Sequence, residues 1–512
     1  MGRFPILHPI LFAGFPVLFL ISNNVELVSV TGTPLAVLAV ALVLSVLYWT
    51  ILRVLLRDGK RAGLIATLSL LLFFSYGHVF EFVSGALAVR YQEGLVNLRH
   101  RHLLLIWGGL FVTLAYLSLK TKRDLSNPTL VLNAMASSLV VISLLNIGGY
   151  ELASLGSRRG TSEHSRDEMG LIEGRPLPDI YYIVLDGYAS SRTLEEMFHH
   201  SNDAFIRELE ERGFFVARES RSNYALTFLS LASSLNMAYV NSLSEVVGVE
   251  SNDLSVPDQM IEDNGVMRFL KSRGYRFIFI GSGYGVTDKN QFADWDVECG
   301  FVNEFLGIFI QSTMMRALEA RFGIVANDER ARRLCMFATL AEVHELEGQK
   351  LIIAHVLAPH PPYYFDANGD PVPGLVLSNS EWTPPENYVG QLLFVNKQVL
   401  RIVDAILSGS EPAPIIVLQA DHGPASTFTS GADWELPSQQ MLMERMHIFN
   451  AYLLPGGGNK VLYDSVTPIN TFRLIFNFYF NADLETLEDE SYYSWYTRPY
   501  QFTDVTARIS TP

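Results

Sequence analysis

The chain has 512 residues, of which 49% are hydrophobic and 18% charged, and its 53 Asp and Glu residues outnumber its 38 Lys and Arg residues, which gives a net charge of −15. This composition excludes a disordered chain, a collagen-like repeat and a small disulfide-rich module, and at about 150 residues per domain the length allows two or three domains. The charge is divided unevenly, because residues 1–156 carry a net +5 and the remainder a net −20. The two regions are therefore built for different surroundings, and the acidic one argues against nucleic acid as a partner.

The first region contains five apolar stretches, at about 5–22, 33–56, 64–89, 103–119 and 129–152. Each is close to the roughly 20 residues that a helix needs to cross a bilayer. The first stretch shares features with a signal peptide, but a single Arg precedes it, and another apolar stretch follows it in place of a soluble sequence. We therefore predict a transmembrane domain of five helices over residues 1–156, with the first helix retained.

Lys and Arg residues in the short loops indicate which side of the membrane each helix end faces. With the N-terminus inside, the inner loops carry eight of these residues and the outer loops six, among them Arg158, Arg159 and Arg166. An odd number of spans also places the two ends of the region on opposite sides. The chain after residue 156 is therefore expected on the extracytoplasmic side of a cell membrane. Within the third stretch, His78 and Glu81 lie one helical turn apart, either as a functional pair or as the interfacial end of the helix.

The C-terminal region alternates between strands and helices. Residues 157–178, rich in Gly, Ser, Arg and Glu, are expected to be a linker to an extracytoplasmic domain at 179–512. Strands are predicted at 180–185, 275–280, 351–356, 415–418 and 448–454, and helices at 194–212, 260–273, 328–347, 388–407 and 467–479. This alternation predicts an α/β fold with a mostly parallel sheet covered by helices on both faces. Cys299 and Cys335 either pair in the oxidising exterior or remain two buried thiols.

Acidic and imidazole side chains follow three of these strands. The first strand ends in Asp186, the 415–418 strand leads to Asp421 and His422, and the 351–356 strand contains His355 and leads to His360. Ligands of such sheets bind beyond the carboxyl ends of the strands, so these side chains are expected at one edge. Carboxylate oxygen and imidazole nitrogen are the ligands of a zinc- or manganese-type ion. Each residue alone is weak evidence, since an acid before Gly is usually a turn and a single histidine on a strand is usually core.

Together, residues 177–480 resemble the alkaline phosphatase and sulfatase superfamily, and within it the membrane-anchored transferases typified by lipoteichoic acid synthase and phosphoethanolamine transferases. Those families also join five membrane helices to an extracytoplasmic catalytic domain. In them, an acid after the first strand, a Thr at a helix start and a late Asp-His pair bind the metal. The resemblance implies the metal ligands Asp186, Thr227, Asp421 and His422. It also implies two catalytic residues, the nucleophile Thr227 and the phosphate-contacting His360.

The position of the nucleophile is chosen from residues 221–235, where an apolar helix begins. The positive end of a helix dipole favours both an activated hydroxyl and an anionic phosphoryl group. From the residues alone, Thr227 is more simply explained as a helix N-cap. Ser230, one turn later, is the substitute nucleophile. His355 is either a further site residue or part of the core.

Three departures from the pattern of true sulfatases favour phosphoryl chemistry. The sequence lacks the Cys-x-Pro-x-Arg or Ser-x-Pro-x-Arg signature that yields formylglycine, a single acid ends the first strand, and the late pair is Asp-His in place of Asp-Asn. We therefore expect a membrane-bound, metal-dependent phosphoryl transferase or phosphodiesterase that acts on a lipid-linked or cell-envelope phosphodiester through a covalent threonine intermediate, with zinc or manganese as cofactor. The alternatives are a sulfuric ester hydrolase and a non-catalytic membrane assembly protein; no protein partner is predicted.

Overall fold

The structure is a computed structural model that describes residues 5–25, 32–91, 99–157, 177–373, 375 and 382–510. The chain divides into two compact units. The first comprises Met1–Asp167 and Val302–Val325, and the second comprises Glu168–Phe301 and Ala326–Pro512. Most of the predicted linker at 157–178, together with Arg158, Arg159 and Arg166, lies outside the described residues.

The elements of the described residues are as follows in chain order. The helices are α1 (His8–Asn23), α2 (Thr33–Leu56), α3 (Gly59–Tyr91), α4 (His100–Lys120), α5 (Ser126–Ser157), α6 (Ser191–Phe198), α7 (Asp203–Glu211), α8 (Thr227–Asn236), α9 (Ser255–Glu262), α10 (Gly265–Lys271), α11 (Glu304–Ser312), α12 (Met315–Phe322), α13 (Ile324–Glu342), α14 (Pro385–Gly409), α15 (Gly431–Glu435), α16 (Gln439–Met446), α17 (Pro468–Phe480) and α18 (Thr506–Ile509). The strands are β1 (Ile180–Leu185), β2 (Phe215–Val216), β3 (Arg276–Ile280), β4 (Trp295–Val297), β5 (Lys350–Val356), β6 (Ile415–Gln419), β7 (Asn450–Leu453), β8 (Tyr492–Trp495) and β9 (Arg498–Asp504).

All of the described secondary-structure elements of the first unit are helices. Four of its helical segments are long and apolar enough to cross a membrane: Thr33–Leu56, Gly59–Ser84, His100–Lys120 and Ser126–Tyr150. The helix α1 is apolar but shorter, with 16 residues. Large apolar side chains point outward from these helices, for example Val54 (70% exposed), Leu105 (76%) and Leu145 (68%). This pattern is that of a lipid-covered surface and confirms the predicted helical membrane region.

The second unit is built on a seven-stranded sheet in the order β2-β7-β6-β1-β5-β3-β4. The five strands from β6 to β4 run parallel, whereas β7 is antiparallel to both of its neighbours. Alternate side chains of β1 enter two different buried clusters: Tyr181, Ile183 and Leu185 on one face, and Ile180, Tyr182 and Val184 on the other. Both faces of the sheet are therefore covered, which confirms the predicted α/β class.

Two of the predicted helices are each divided in the structure. The 194–212 helix becomes α6 and α7, because His199 ends α6 in the left-handed region with a φ of 52°. The 260–273 helix becomes α9 and α10, because the Asn264 side chain accepts a hydrogen bond from the Met267 N–H, at 2.8 Å, and starts a new helix. Both breaks are local capping events inside a continuous apolar pattern, which is why the pattern alone did not locate them.

The two cysteines form a disulfide in the structure. Cys299 and Cys335 are bonded, with their Cα atoms 5.7 Å apart, and 36 positions separate them in the sequence. The bond therefore closes the loop that contains α11 and α12. Of the two alternatives left open by the sequence, the structure shows the disulfide.

Candidate active site

The strands that lead to the predicted site residues are neighbours at the centre of the sheet. β1 pairs in parallel with β5 on one side and β6 on the other, and Val184 is level with both His355 and Gln419. Asp186, directly after β1, therefore reaches the same edge as the end of β5 and the end of β6. The edge predicted from the sequence is the edge that the structure forms.

Asp186, His355 and Asp421 form a buried cluster at this edge. Each offers one ligand atom, and these atoms all lie within 4.8 Å of one another. Nε2 of His355 is 3.4 Å from Oδ2 of Asp186. All three residues are 4% exposed or less. His355, for which the sequence left a core role open, thus lies within the site.

One polar atom of each of these side chains has no hydrogen-bond partner within the described part of the chain: Oδ1 of Asp186, Nε2 of His355 and Oδ2 of Asp421. A buried polar atom without a partner costs about 1–3 kcal/mol, and more when it is charged. A divalent cation among the three would satisfy all of them. Two carboxylates and an imidazole suit zinc or manganese, so the residues present fit a metal of this type.

His422 lies beside this cluster and beside the predicted nucleophile. Its Nε2 is 3.3 Å from Oδ2 of Asp421, 3.6 Å from Oδ1 of Asp186 and 3.1 Å from Oγ1 of Thr227. Its Nδ1 is 3.0 Å from the carbonyl oxygen of Gly423, which can only accept. Nδ1 therefore carries the ring proton of the neutral imidazole, and Nε2 presents a lone pair to the site.

The pKa values of three site residues differ from those of the same side chains in water. Burial and then the charge of Asp186 raise the pKa of Asp421. Burial and then the charge of Arg445 hold the pKa of His422 well below its usual value. Burial likewise lowers the pKa of His360. The site thus contains neutral imidazoles around crowded carboxylates, an arrangement that an added positive charge stabilises.

Thr227 is the first residue of α8, and the N-cap position is occupied by Leu226. The explanation of Thr227 as an N-cap is therefore wrong. The residue is 4% exposed, and its hydroxyl is the one that contacts Nε2 of His422. Ser230 is also buried, but within the described residues its hydroxyl makes no such contact. Of the two candidate nucleophiles, the structure brings Thr227 to the cluster.

His360 borders the cluster and is half-buried. Its backbone N–H donates to the carbonyl oxygen of Asp186, at 3.0 Å, which fixes the loop after β5 against the end of β1. The ring meets Trp382 edge to face with centroids 4.7 Å apart, and lies 6.2 Å from the ring of His422. Nδ1 lies 2.5 Å from the carbonyl oxygen of Pro361 and therefore carries the ring proton of the neutral imidazole, which leaves a lone pair on Nε2. This position suits contact with a substrate.

Gly187 is required by close packing at the site. It has a φ of +68°, and a Cβ there would lie 2.6 Å from the Trp382 ring. Its N–H donates to Oδ1 of Asp421, at 3.2 Å, so the turn after β1 also orients a carboxylate of the neighbouring strand. The acid-glycine pair is therefore both a turn and part of the site.

The sequence interpretation missed Arg445. This residue of α16 is 2% exposed, and its guanidinium donates to two carbonyl oxygens: Nε to Ala225, at 2.8 Å, and Nη1 to Gly423, at 2.9 Å. It thereby joins the loop before α8 to the loop after β6. The signal was absent from the sequence, because an arginine near the end of a helix is ordinarily a surface residue.

Comparison with known proteins gives one family match and several similar solved structures. The family model described as Sulfatase matches residues 182–457, which include all five predicted site residues. The C-terminal periplasmic domain of EcEptC from Escherichia coli matches at 15% identity over 65% of this chain and 93% of its own, with a TM-score of 0.40. The integral membrane lipooligosaccharide phosphoethanolamine transferase A from Neisseria meningitidis matches at 12% identity over 96% and 97%, with a TM-score of 0.39. The putative sulfatase yidJ from Bacteroides fragilis matches at 13% over 63% and 78%, with a TM-score of 0.37. No curated protein sequence matches the chain.

Proposed function

This chain belongs to the sulfatase family, and on that premise we propose that it transfers or hydrolyses the phosphoryl group of a phosphodiester through a covalent bond to Thr227. The observation that carries the proposal is the contact between Oγ1 of Thr227 and Nε2 of His422, 3.1 Å apart, at the start of a helix and beside buried carboxylates. A sulfate-ester reaction through formylglycine has no support, because the sequence lacks the signature from which that residue is made. In this proposal, the attack is assigned to Thr227.

The metal ligands in this proposal are Asp186, Asp421 and His422, with Thr227 beside them and His355 as a further donor. A bound divalent cation would supply positive charge that favours the ionised hydroxyl and the phosphoryl oxygens. The side chains themselves hold the reacting groups in place: the amide of Gly187 orients Asp421, and the carbonyl of Gly423 orients His422. The positive end of the α8 dipole favours an anionic group bound beside Thr227.

The reaction has two steps. Oγ1 of Thr227, whose proton passes to water, forms a bond to phosphorus while the bond from phosphorus to the leaving alkoxide breaks, and the alkoxide takes up a proton. His360 is the residue assigned to that proton, because an anionic phosphoryl group bound beside it raises the pKa that burial has lowered. An acceptor hydroxyl or water then gives its proton back to His360, its oxygen attacks phosphorus, and the bond from phosphorus to Oγ1 of Thr227 breaks. The membrane-length helices support a lipid-linked or envelope substrate outside the cytoplasm.

The test is a substrate panel on the purified full-length protein. A chromogenic phosphodiester and an aryl sulfate are compared with zinc and with manganese, and the reaction is quenched for mass spectrometry of the peptide that contains residue 227. We expect turnover of the phosphodiester and a mass gain on Thr227 equal to the transferred group. Turnover of the aryl sulfate alone, or an adduct on Ser230, would overturn the proposal, and Ser230→Ala is the matched control.

Arg445 is expected to act as a positioning residue for this reaction. Arg445→Lys keeps the charge but loses the planar fork that reaches both carbonyl oxygens. Displacement of the nucleophile by about 1 Å costs on the order of 100-fold in rate, so we expect kcat to fall by about that factor with KM and metal content unchanged. Kinetics and elemental analysis measure these quantities. Arg218→Lys, at a surface residue paired with Glu210, is the control. Wild-type kcat in Arg445→Lys would exclude the positioning role.

A further inference from the structure

The segment Val302–Val325, here called the insert, lies in the sequence between two parts of the sheet domain. In the structure it belongs to the helical unit. The chain leaves the sheet domain after β4 and returns at α13, and between them α11 and α12 group with the N-terminal helices. No membrane-length apolar stretch marks the insert, because α11 and α12 have only 9 and 8 residues. Its place among the membrane helices was therefore not predicted.

The insert contributes two aromatic side chains to the core of the helical unit. Phe305 is 5% exposed and shares a buried cluster with Val17, Ile21 and Ile147. Phe309 packs against the same cluster, as do Val37, Leu38 and Ala41 of α2. These α2 residues lie four to eight positions after the start of α2, which corresponds to about 6–12 Å along the helix at 1.5 Å per residue. The insert therefore reaches into the membrane-spanning part of the unit.

Backbone contact with α3 is close. The Met314 N–H donates to the carbonyl oxygen of Phe73, at 2.8 Å. A Cβ on Gly77 would lie 2.2 Å from the carbonyl oxygen of Gln311, so only glycine allows this approach. Small residues at such contacts are typical of helices that pack within membranes.

Polar contacts occur at the end of the unit where α2 begins and α3 leaves its apolar part. Asn303 donates to the hydroxyl of Thr33, at 3.0 Å. Arg316 pairs with Glu81, at 3.5 Å, and lies over the ring of Phe80. Glu81, which the sequence left as functional or interfacial, thus has an ionic partner on the insert.

The outer side of the insert is apolar and exposed. Ile308 is 42% exposed, Leu318 51% and Phe322 64%. In the same helical unit, Phe82 of α3 is also exposed, at 76%. A cationic residue, Arg321, lies next to Phe322. Apolar side chains with aromatic and arginine neighbours, at the end of membrane-length helices, are the composition of an interfacial membrane segment.

We infer that the insert is a second membrane anchor of this protein, with phospholipid covering Ile308 and Leu318. The occupant is lipid, because the insert groups with helices of membrane-spanning length. In addition, Phe305 and Phe309 share a cluster with residues inside the apolar span of α2. The sheet domain is then attached to the bilayer at two points in its sequence, after α5 and at the insert. The disulfide between Cys299 and Cys335 closes the base of this second attachment.

The test uses single spin labels on the full-length protein in phospholipid vesicles. Both native cysteines are engaged in the disulfide, so an introduced cysteine is the only free thiol. Leu318→Cys and Ile308→Cys are labelled with a nitroxide, and Ala204→Cys, exposed on α7 of the sheet domain, is the matched control. Collision with oxygen, which concentrates in lipid, is compared with collision with a water-soluble nickel complex.

We expect labels at 308 and 318 to collide more with oxygen, and the label at 204 to collide more with nickel. Greater collision with nickel at both insert positions would overturn the inference. So would protection from both reagents, which would mean that protein covers the surface. Two insert positions are used so that a variant that fails to fold leaves the other to decide. None of these outcomes depends on the phosphoryl chemistry proposed for Thr227, so the two proposals fail separately.

Discussion

Replacing Thr227 by alanine is expected to lower phosphodiester turnover by at least about 10³-fold and to abolish the covalent adduct, as loss of a nucleophile does in other enzymes. The reason is geometric, because the hydroxyl of Thr227 is the one at the start of α8 that contacts His422. The substitution removes few atoms from a buried position. Metal content and unfolding temperature are therefore expected to remain close to wild type.

Two variants make this result specific. Thr227→Ser keeps a hydroxyl at the same place and is expected to retain measurable turnover with an adduct on the serine. Ser230→Ala removes a buried hydroxyl one turn further along the same helix, and we expect wild-type rates from it. Initial rates and peptide mass spectra of all three proteins are the measurements. Wild-type turnover by Thr227→Ala would show that another group attacks phosphorus.

The sequence allowed the site edge to be predicted because each of its strands is a continuous apolar run followed by a polar residue. Asp186 and Asp421 stand just beyond such runs, and parallel pairing then brings them together whatever their separation in the chain. His355 was ambiguous for the converse reason. It lies inside β5, where alternate side chains are usually buried in the core, and only its distances to Asp186 and Asp421 show that it belongs to the site.

The insert and Arg445 could not have been predicted from local patterns. Arg445 acts through carbonyl oxygens of Ala225 and Gly423, and a backbone acceptor leaves no trace in residue types. The helices of the insert are too short to satisfy a membrane-length criterion. They are held among the membrane helices by long-range packing, such as the contact of Phe305 with Ile147. Both features depend on tertiary contacts between segments that are remote in sequence.

Replacing Asp421 by asparagine is expected to abolish tight metal binding while the fold is preserved. Asparagine has nearly the same shape, and its oxygen can still accept the hydrogen bond from Gly187. It lacks the charge that an ion of this type requires of its ligand. Even changes to residues behind metal ligands cost about 10–100-fold in affinity, so the loss of a ligand charge is expected to exceed that range. Turnover is expected to fall with the metal.

Without metal, Asp421→Asn is expected to be more stable than the wild-type protein. Burial and the charge of Asp186 raise the pKa of Asp421 from 3.8 to about 7, so the folded protein holds this proton more tightly than the unfolded chain does. The stabilisation is complete below the unfolded value and is lost as the pH rises through the folded value. After chelation at about pH 8, Asp421→Asn should therefore unfold at a higher temperature than wild type, and the difference should shrink as the pH is lowered towards about 4.

Adding metal should reverse that order. Zinc or manganese at 100 times its Kd stabilises a protein that binds it only when folded by about 2.7 kcal/mol, and the variant should gain little. Thermal unfolding with and without metal measures both effects on the same samples, with Asp404→Asn, at an exposed residue paired with Arg212, as the control. Equal stabilisation of Asp421→Asn and wild type by metal would remove Asp421 from the ligands. If Asp421→Asn is more stable than wild type without metal and less stable with it, the carboxylate is a ligand of the ion. A change in packing alone would shift the stability in the same direction under both conditions.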